Sequence, residues 1–298
     1  MNAVYIFNPE SGNGKIKKNK EYIISKLSEK FDKIDIMPTM QPKDATTFAK
    51  DACGKYDYIL VSGGDGTLNE VVNGIATSEN KPIVGYIPTG TVNDVARSLG
   101  ISRNIKKAVQ TILMGEVFEH DIFRVNSAYG IYVCCAGLFT SSSYETKRSA
   151  KKKLGKIAYF FKGVKDIFGA KPVKVVLKTE DETISQNCAL VLVLNSKSVA
   201  GIKLNKNAKL DDGEVEVVLV KASENRVRLC EIARVLDTFT LGVEKCKNSK
   251  HIIYRKLSHF VLQTQKDTII NLDGEKSEAG TFEFEVLPKA LKIIVPQR

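Results

Sequence analysis

Tyr58-Ile59-Leu60-Val61-Ser62-Gly63-Gly64-Asp65-Gly66-Thr67 is an apolar run that breaks into a glycine-rich loop. The run predicts a buried strand over 58–62, and the amphipathic stretch behind the loop predicts a helix over 67–76. Glycine lets a backbone take positive φ and approach a ligand with no Cβ in between. The N–H groups that open the next helix favour an anion, which makes the loop a candidate phosphate site. Asp65 inside such a loop would repel a phosphate unless a cation lay between them, so the pattern implies Mg²⁺. The plainer alternative is a tight strand-to-helix turn capped by Asp65. Three glycines around one Asp are more than such a turn requires.

The same alternation continues on both sides. Strands are predicted at 3–7, 33–37 and 83–87, and helices at 15–31 and 44–53, the first with Ile23, Leu27 and Phe31 stacked at i, i+4. Alternation of this kind predicts a parallel sheet whose ligands bind beyond the C-terminal strand ends. Two further loops follow such ends. Asn8-Pro9-Glu10-Ser11-Gly12-Asn13-Gly14-Lys15 is small-residue rich and ends in a lysine, but it lacks the first glycine of the Gly-x4-Gly-Lys-Ser/Thr loop, and Ile16 follows the lysine. Pro88-Thr89-Gly90-Thr91-Val92-Asn93-Asp94 offers two hydroxyls and a second carboxylate. Asp94 reads either as a helix cap or as a partner of Asp65 in holding a hydrated metal.

Beyond 126 the texture changes to strands at 131–136, 173–179, 188–194, 215–220 and 260–263, interrupted by helices at 147–168 and 224–239. The expected organisation is an α/β nucleotide-binding domain at 1–125 and an antiparallel β-rich domain at 126–298, with the last strand free to return to the first domain. With 298 residues, 43% hydrophobic and 27% charged, the chain is globular in composition. The run at 3–7 is too short for a signal core, and 131–139 and 188–194 fall below the ~18 residues of a membrane span. The six cysteines form no Cys-x-x-Cys pair, Cys134 and Cys135 should face opposite sides of a strand, and the three histidines lack metal spacing. A reduced, cytoplasmic setting fits.

The 45 Lys+Arg against 34 Asp+Glu leave a net +11. Lys147, Arg148, Lys151, Lys152, Lys153 and Lys156 open a helix whose other face is Leu154, Ile157, Phe161 and Val164. Such a helix is either a solvated face or a peripheral contact with anionic lipid, at ~1 kcal/mol per basic residue. No nucleic-acid module or stacking aromatic set is present, so a nucleic-acid partner is not expected.

Asn8-Pro-x-Ser-Gly, Gly-Gly-Asp-Gly-Thr-Leu-Asn-Glu-Val-Val-Asn-Gly at 63–74 and Pro-Thr-Gly-Thr-x-Asn-Asp at 88–94 resemble the diacylglycerol kinase family, in particular its soluble bacterial lipid kinases. Lys152-Lys153-Leu154-Gly155-Lys156-Ile157-Ala158-Tyr159, Leu210-Asp211-Asp212-Gly213 and Leu272-Asp273-Gly274-Glu275 extend the likeness over nearly the whole chain. The resemblance implies a phosphofructokinase-like α/β domain joined to a β-sandwich, with catalysis in the cleft between them. It implies a kinase that uses ATP and Mg²⁺ to phosphorylate the hydroxyl of diacylglycerol or a related membrane lipid, and it often goes with a homodimer. Carried over, it assigns ATP contacts to Asn8, Pro9, Glu10, Ser11, Gly12, Thr39, Gly63, Gly64, Asp65, Gly66, Thr67, Leu68, Asn69 and Thr91. It puts Asp65 and Asp94 in an aspartate–water–Mg²⁺ network and makes Glu275 the general base. A structural Mg²⁺ would lie on Lys209, Asp212 and Glu214, the first and last through main-chain oxygens.

By its residues alone, Glu275 merely follows an Asp-Gly hairpin turn and needs no chemical role. Two rivals stay open. An NAD-kinase-like enzyme would share Gly-Gly-Asp-Gly, although the first and third loops and the basic helix weigh against it. A non-catalytic homologue that binds lipid or nucleotide is the other, although Asp65, Asp94 and Glu275 are all in place.

Overall fold

Short β-branched runs separated by amphipathic helices fold here as four parallel strands, β1 (Asn2–Phe7), β2 (Lys33–Pro38), β3 (Tyr58–Gly63) and β4 (Ile83–Pro88), in the spatial order β4-β3-β1-β2. The computed structural model describes residues 1–137, 172–223, 228–265, 268, 270–277 and 280–297. Helices α1 (Lys15–Leu27), α2 (Asp44–Ala52), α3 (Asp65–Ile75), α4 (Asp94–Ser98) and α5 (Ile105–Met114) connect or follow these strands. Residues Ile59, Leu60 and Val61 are fully buried, as a strand inside a parallel sheet covered by helices requires. The helix expected to reach Phe31 stops at Leu27; Phe31 is buried beyond its end, edge-on to the Tyr58 ring at 5.0 Å. Tertiary packing, not helical continuation, accounts for that last apolar position.

The rest of the chain is antiparallel and β-rich. Its strands are β5 (Glu116–Val125), β6 (Ala128–Gly130), β7 (Val133–Gly137), β8 (Val173–Lys178), β9 (Thr183–Leu194), β10 (Val215–Lys221), β11 (Ile252–Leu257), β12 (His259–Thr264), β13 (Ile270–Leu272), β14 (Glu275–Ser277) and β15 (Thr281–Val295), with helices α6 (Arg228–Leu241) and α7 (Val243–Cys246). Strand β9 changes character along its length. Residues 183–187 alternate in burial, whereas 188–194 are buried throughout. One face of that second part joins a core built around the stacked Phe260 and Phe284 rings, 4.5 Å apart, and the other lies with Ile232 and Val235 of α6. The expected strand at 131–136 begins only at Val133, because the amides of 131–133 are taken by a side chain described below. Cys134 is buried and Cys135 partly exposed, and both thiols are free.

Strand β15 passes a bulge at 288–290, where Lys289 has φ 54°, and its far end lies parallel to β4 with Ile293 beside Val84. The C-terminal strand therefore runs out of the antiparallel layer and into the parallel sheet. The basic stretch at 147–156, with its predicted helix, lies outside the described residues, as do residues 224–227 ahead of α6. Among the described residues no helix is long and apolar enough to cross a membrane.

Candidate active site

The parallel register brings the strand ends to one level: Phe7 pairs with both Pro38 and Ser62, and Gly63 pairs with Pro88. The residues that follow are Asn8, Thr39, Gly64 and Thr89, so most of the expected nucleotide contacts converge here. Asn8 N–H donates to Ser62 O (3.0 Å), Thr39 N–H to Phe7 O (2.9 Å) and Thr89 N–H to Gly63 O (2.8 Å). The Asn8 side chain accepts from Glu10 N–H (3.0 Å) and folds Pro9-Glu10-Ser11 into a turn, and Ser11 and Thr89 join hydroxyls at 2.9 Å. Leu68 is the exception among the expected contacts: its side chain is fully buried in the core, and its N–H donates to Gly64 O (3.2 Å).

The glycines work differently from the expectation. Positive φ occurs at Gly12 and Gly14 but not at Gly63, Gly64 or Gly66. What the second and third loops need is close approach. A Cβ on Gly90 would lie 2.5 Å from the Gly64 Cα, and one on Gly12, at φ 63°, would lie 2.8 Å from Thr89 O. Removing side chains lets three loops pack backbone to backbone. Lys15 and Arg103 line a cavity of about 170 Å³ with Pro88, Thr89 and Ile105, which puts two cations beside these loops. Arg103 is held by Gly90 O (3.4 Å) and Thr91 O (3.1 Å); nothing in its local sequence signals the role.

Asp65 is the first residue of α3, yet its carboxylate reaches the neighbouring loop. Its two oxygens accept from the N–H groups of Asp94 (3.1 Å) and Val95 (3.2 Å), so Asp65 caps α4. The capping role read as an option for Asp94 thus belongs to Asp65. Asp94, only 2% exposed, turns its carboxylate instead to Ser198 Oγ (2.6 Å) and Gly201 N–H (2.9 Å) of the antiparallel half. Burial and then the nearby Asp94 charge push the Asp65 carboxyl up to about 6, and burial raises Asp94 as well. Two desolvated carboxylates that oppose each other's ionisation fit a cation supplied from outside the chain. Among the described residues no cluster of three or more His, Cys, Asp or Glu is placed to hold a metal.

Glu275 opens β14 and is exposed. Its position is fixed by Asp273, which the sequence marks only as part of an Asp-Gly turn. The turn has φ 49° at Asp273 and 98° at Gly274, the form favoured in two-residue hairpins. The buried Asp273 carboxylate accepts from the N–H groups of Ile131 (2.5 Å), Tyr132 (3.1 Å) and Val133 (2.9 Å) and from Asn69 Nδ2 (2.8 Å). Asn69 lies one helical turn after Asp65, so the turn bearing Glu275 is pinned to the helix that follows the glycine loop. Its amide also donates to Tyr129 O (3.1 Å), and Asn73 exchanges bonds with Tyr129 beside it. Asp273→Ala orphans these buried donors and should cost about 3 kcal/mol or more, with Asp273→Asn intermediate; urea unfolding of the two variants checks the order.

The expected second metal set is a separate place. The loop at 209–214 folds around Asp121, whose N–H donates to Leu210 O (2.8 Å) and whose carboxylate accepts from Gly213 N–H and Lys289 N–H (both 2.7 Å). Asp121, 0% exposed, drew no attention in the sequence because its partners are remote in the chain. Asp212 Oδ2 takes the Lys256 ammonium at 2.8 Å, while Asp212 Oδ1 and Glu216 Oε2 are buried without a partner. Such orphaned carboxylate oxygens fit a cation, and Lys209 and Glu214 remain as sources of main-chain oxygens.

Comparison with known proteins agrees with this fold. Residues 2–125 match the diacylglycerol kinase catalytic domain, and residues 135–295 match the YegS C-terminal NAD kinase beta sandwich-like domain. A diacylglycerol kinase of Bacillus subtilis (strain 168) is 34% identical over 298 residues, which covers 99% of this chain and 96% of the relative. A diacylglycerol kinase of Staphylococcus saprophyticus is 33% identical over 296 residues, covering 99% and 95%. The crystal structure of a diacylglycerol kinase from Bacillus anthracis strain Sterne superposes with a TM-score of 0.82 at 27% identity, covering 99% of this chain and 96% of that one.

Proposed function

This chain belongs to the diacylglycerol kinase family, and from that premise we propose that it transfers the terminal phosphoryl group of ATP, with Mg²⁺, to the hydroxyl of diacylglycerol or a close lipid relative. The observation that carries the reading is the carboxylate pair Asp65–Asp94, set among three strand-end loops and clasped by the antiparallel half. Residues 1–125 then serve as the donor half and 126–298 as the acceptor half, with β15 common to both.

Phosphoryl transfer asks a protein mainly for placement and charge neutralisation. The backbone of Gly12 and of the glycine loop at 63–67, with Lys15 and Arg103, holds the phosphates of ATP. Asp65 and Asp94 carry the metal's share of the site, and Mg²⁺ there supplies positive charge against the phosphate oxygens. Glu275 takes the proton from the lipid hydroxyl as the oxygen attacks. Lys209, Asp212 and Glu214 would hold a second Mg²⁺, which would supply positive charge to the loop around Asp121. A lipid acceptor places the work at the cytoplasmic face of a membrane, with the basic segment at 147–156 as the peripheral contact, and in a homodimer.

The test is direct. Purified protein with labelled ATP and Mg²⁺ is offered diacylglycerol, a polyprenol and a sphingoid base in mixed micelles, with NAD in a lipid-free arm. Label is expected on diacylglycerol. Label on NAD alone, or on nothing, sinks the proposal.

A further inference from the structure

A turn at 196–202 leaves the end of β9 and crosses to the donor half. Ser196 and Ser198 in it, and Asn195 just before it, are each 1% exposed. Val199 and Ile202 exchange two backbone bonds of 3.0 Å, and between them Ala200 and Gly201 have φ 53° and 81°. A residue with a Cβ keeps the left-handed conformation only where its surroundings over-determine it, as at Ala200. The turn delivers its donors to one carboxylate: Ser198 Oγ (2.6 Å) and Gly201 N–H (2.9 Å) both reach Asp94 Oδ1, and the Ala200 N–H faces the same group. Lys197 N–H adds a bond to Ser98 Oγ in α4 (3.1 Å).

The other end of the turn leads back to the acceptor side. Asn195 Nδ2 donates to Ile131 O (2.9 Å) and Asp121 O (2.8 Å), and Ile131 N–H donates to Asp273, whose turn carries Glu275. Hydrogen bonds from Asp273 through Ile131 to Asn195, continued along the chain to Ser198 with Ser196 Oγ donating to Ser198 O (3.0 Å), thus join the turn that bears Glu275 to the buried carboxylate of the donor half.

We propose that Ser198 is a positioning residue for phosphoryl transfer: its hydroxyl fixes the rotamer of Asp94, so the acceptor half orients the carboxylate that the donor half presents to the metal. The inference rests on Asp65 and Asp94 being the metal-facing pair and requires nothing of the acceptor's identity. A lone carboxylate beside Asp65 would rotate about its Cβ–Cγ bond to escape repulsion. Two donors on Oδ1 oppose that rotation and keep Oδ2 in a fixed place.

The test uses the full-length protein with Mn²⁺ in place of Mg²⁺. Electron paramagnetic resonance measures Mn²⁺·ATP affinity, and steady-state kinetics measure kcat and the KM for diacylglycerol. Ser198→Ala should weaken Mn²⁺·ATP about tenfold and lower kcat about as much, as loss of a hydrogen bond to a charged group does, with the lipid KM unchanged. Ser198→Thr, which keeps the hydroxyl, should stay within about twofold on both. Should the alanine variant unfold, Ser198→Cys keeps the volume with a weaker donor and must show the same loss. Full Mn²⁺·ATP affinity in a folded Ala or Cys variant overturns the inference, as does an equal loss in Ser198→Thr. The resonance arm needs no lipid, so it decides the matter even for a protein that phosphorylates no diacylglycerol. Wild-type protein that binds no Mn²⁺·ATP overturns both readings.

Discussion

Asp65→Ala is expected to lower phosphoryl transfer by about 10³-fold or more while the protein still unfolds within about 1 kcal/mol of wild type. The two halves of that expectation have separate causes. For catalysis, the carboxylate is the only acidic group in the glycine loop, and its partner Asp94 already receives two donors on one oxygen. No neighbour can replace the lost charge. For stability, the substitution removes the cap of α4, which costs about 1 kcal/mol. It also removes a carboxylate that burial and Asp94 hold unfavourably, and this offsets part of the cost. The pH dependence gives an independent check on sign. Asp65 rises from 3.8 to about 6 on folding, so the folded chain binds the extra proton in that window. Stability of the metal-free protein should therefore fall as pH rises from about 4 to about 6 and be restored there by Mg²⁺·ATP. Affinity for Mg²⁺·ATP should weaken as pH falls below about 6, because the proton then competes with the cation. Asp65→Ala should remove its share of the stability slope, to which Asp273 and Glu216, pushed up by burial to about 6 and about 7, also contribute, and it should flatten the affinity profile. Retained activity in this variant, with the fold intact, would remove the basis of the whole assignment.

How much of this was legible in the sequence follows the distance between interacting residues. The four parallel strands were readable because each carries its own signal: a β-branched run, a terminal Asn, Pro or Gly, and an amphipathic helix behind it. The three loops were readable because they follow strand ends, and a parallel sheet places such ends together whatever the loops contain. Local pattern also misled in small ways. Phe31 continues the helical spacing of Ile23 and Leu27 but is buried from outside the helix, against Tyr58. Asp94 occupies a capping position, yet the cap comes from Asp65, 29 residues earlier.

Residues whose meaning is entirely long-range were not legible. Asp121 is held by partners 92 and 168 residues away, Ser198 meets Asp94 across 104, and Asp273 meets Asn69 across 204. None of these pairs leaves a periodicity or a spacing in the chain. They share a physical signature in the fold, a buried carboxylate answered by backbone N–H groups from another segment. Asp94, Asp121 and Asp273 have it, the half-buried Asp65 is answered in the same way, and two of the four, Asp94 and Asp273, tie the parallel half to the antiparallel half or to its loops. Buried acids therefore set the relative placement of donor and acceptor sides as well as supplying charge. A hydrophobic interface of similar area would hold the halves together with far less angular definition.

That placement bears most on Glu275→Gln, for which kcat should fall about 10²- to 10⁴-fold with ATP affinity and unfolding temperature unchanged. Glu275 is exposed, and glutamine keeps its size and hydrogen-bonding reach, so neither packing nor the hairpin should change. What glutamine lacks is the capacity to take a proton. An exposed carboxylate on a mobile loop would make a poor base, because geometry must be met before acidity matters. Here the adjoining turn is locked by Asp273 to three amides of 131–133 and to Asn69, one helical turn from Asp65. The proposed base is thereby carried on a rigid support tied to the helix that follows the glycine loop. Glu275→Asp separates the two requirements, since it keeps the proton acceptor and withdraws it by one methylene. Its kcat should fall between wild type and the glutamine variant. Measured kcat values in the order wild type, Asp, Gln support proton abstraction at this position. A glutamine variant within twofold of wild type would mean that the hydroxyl loses its proton elsewhere, and that Glu275 is only the exposed residue after a hairpin turn.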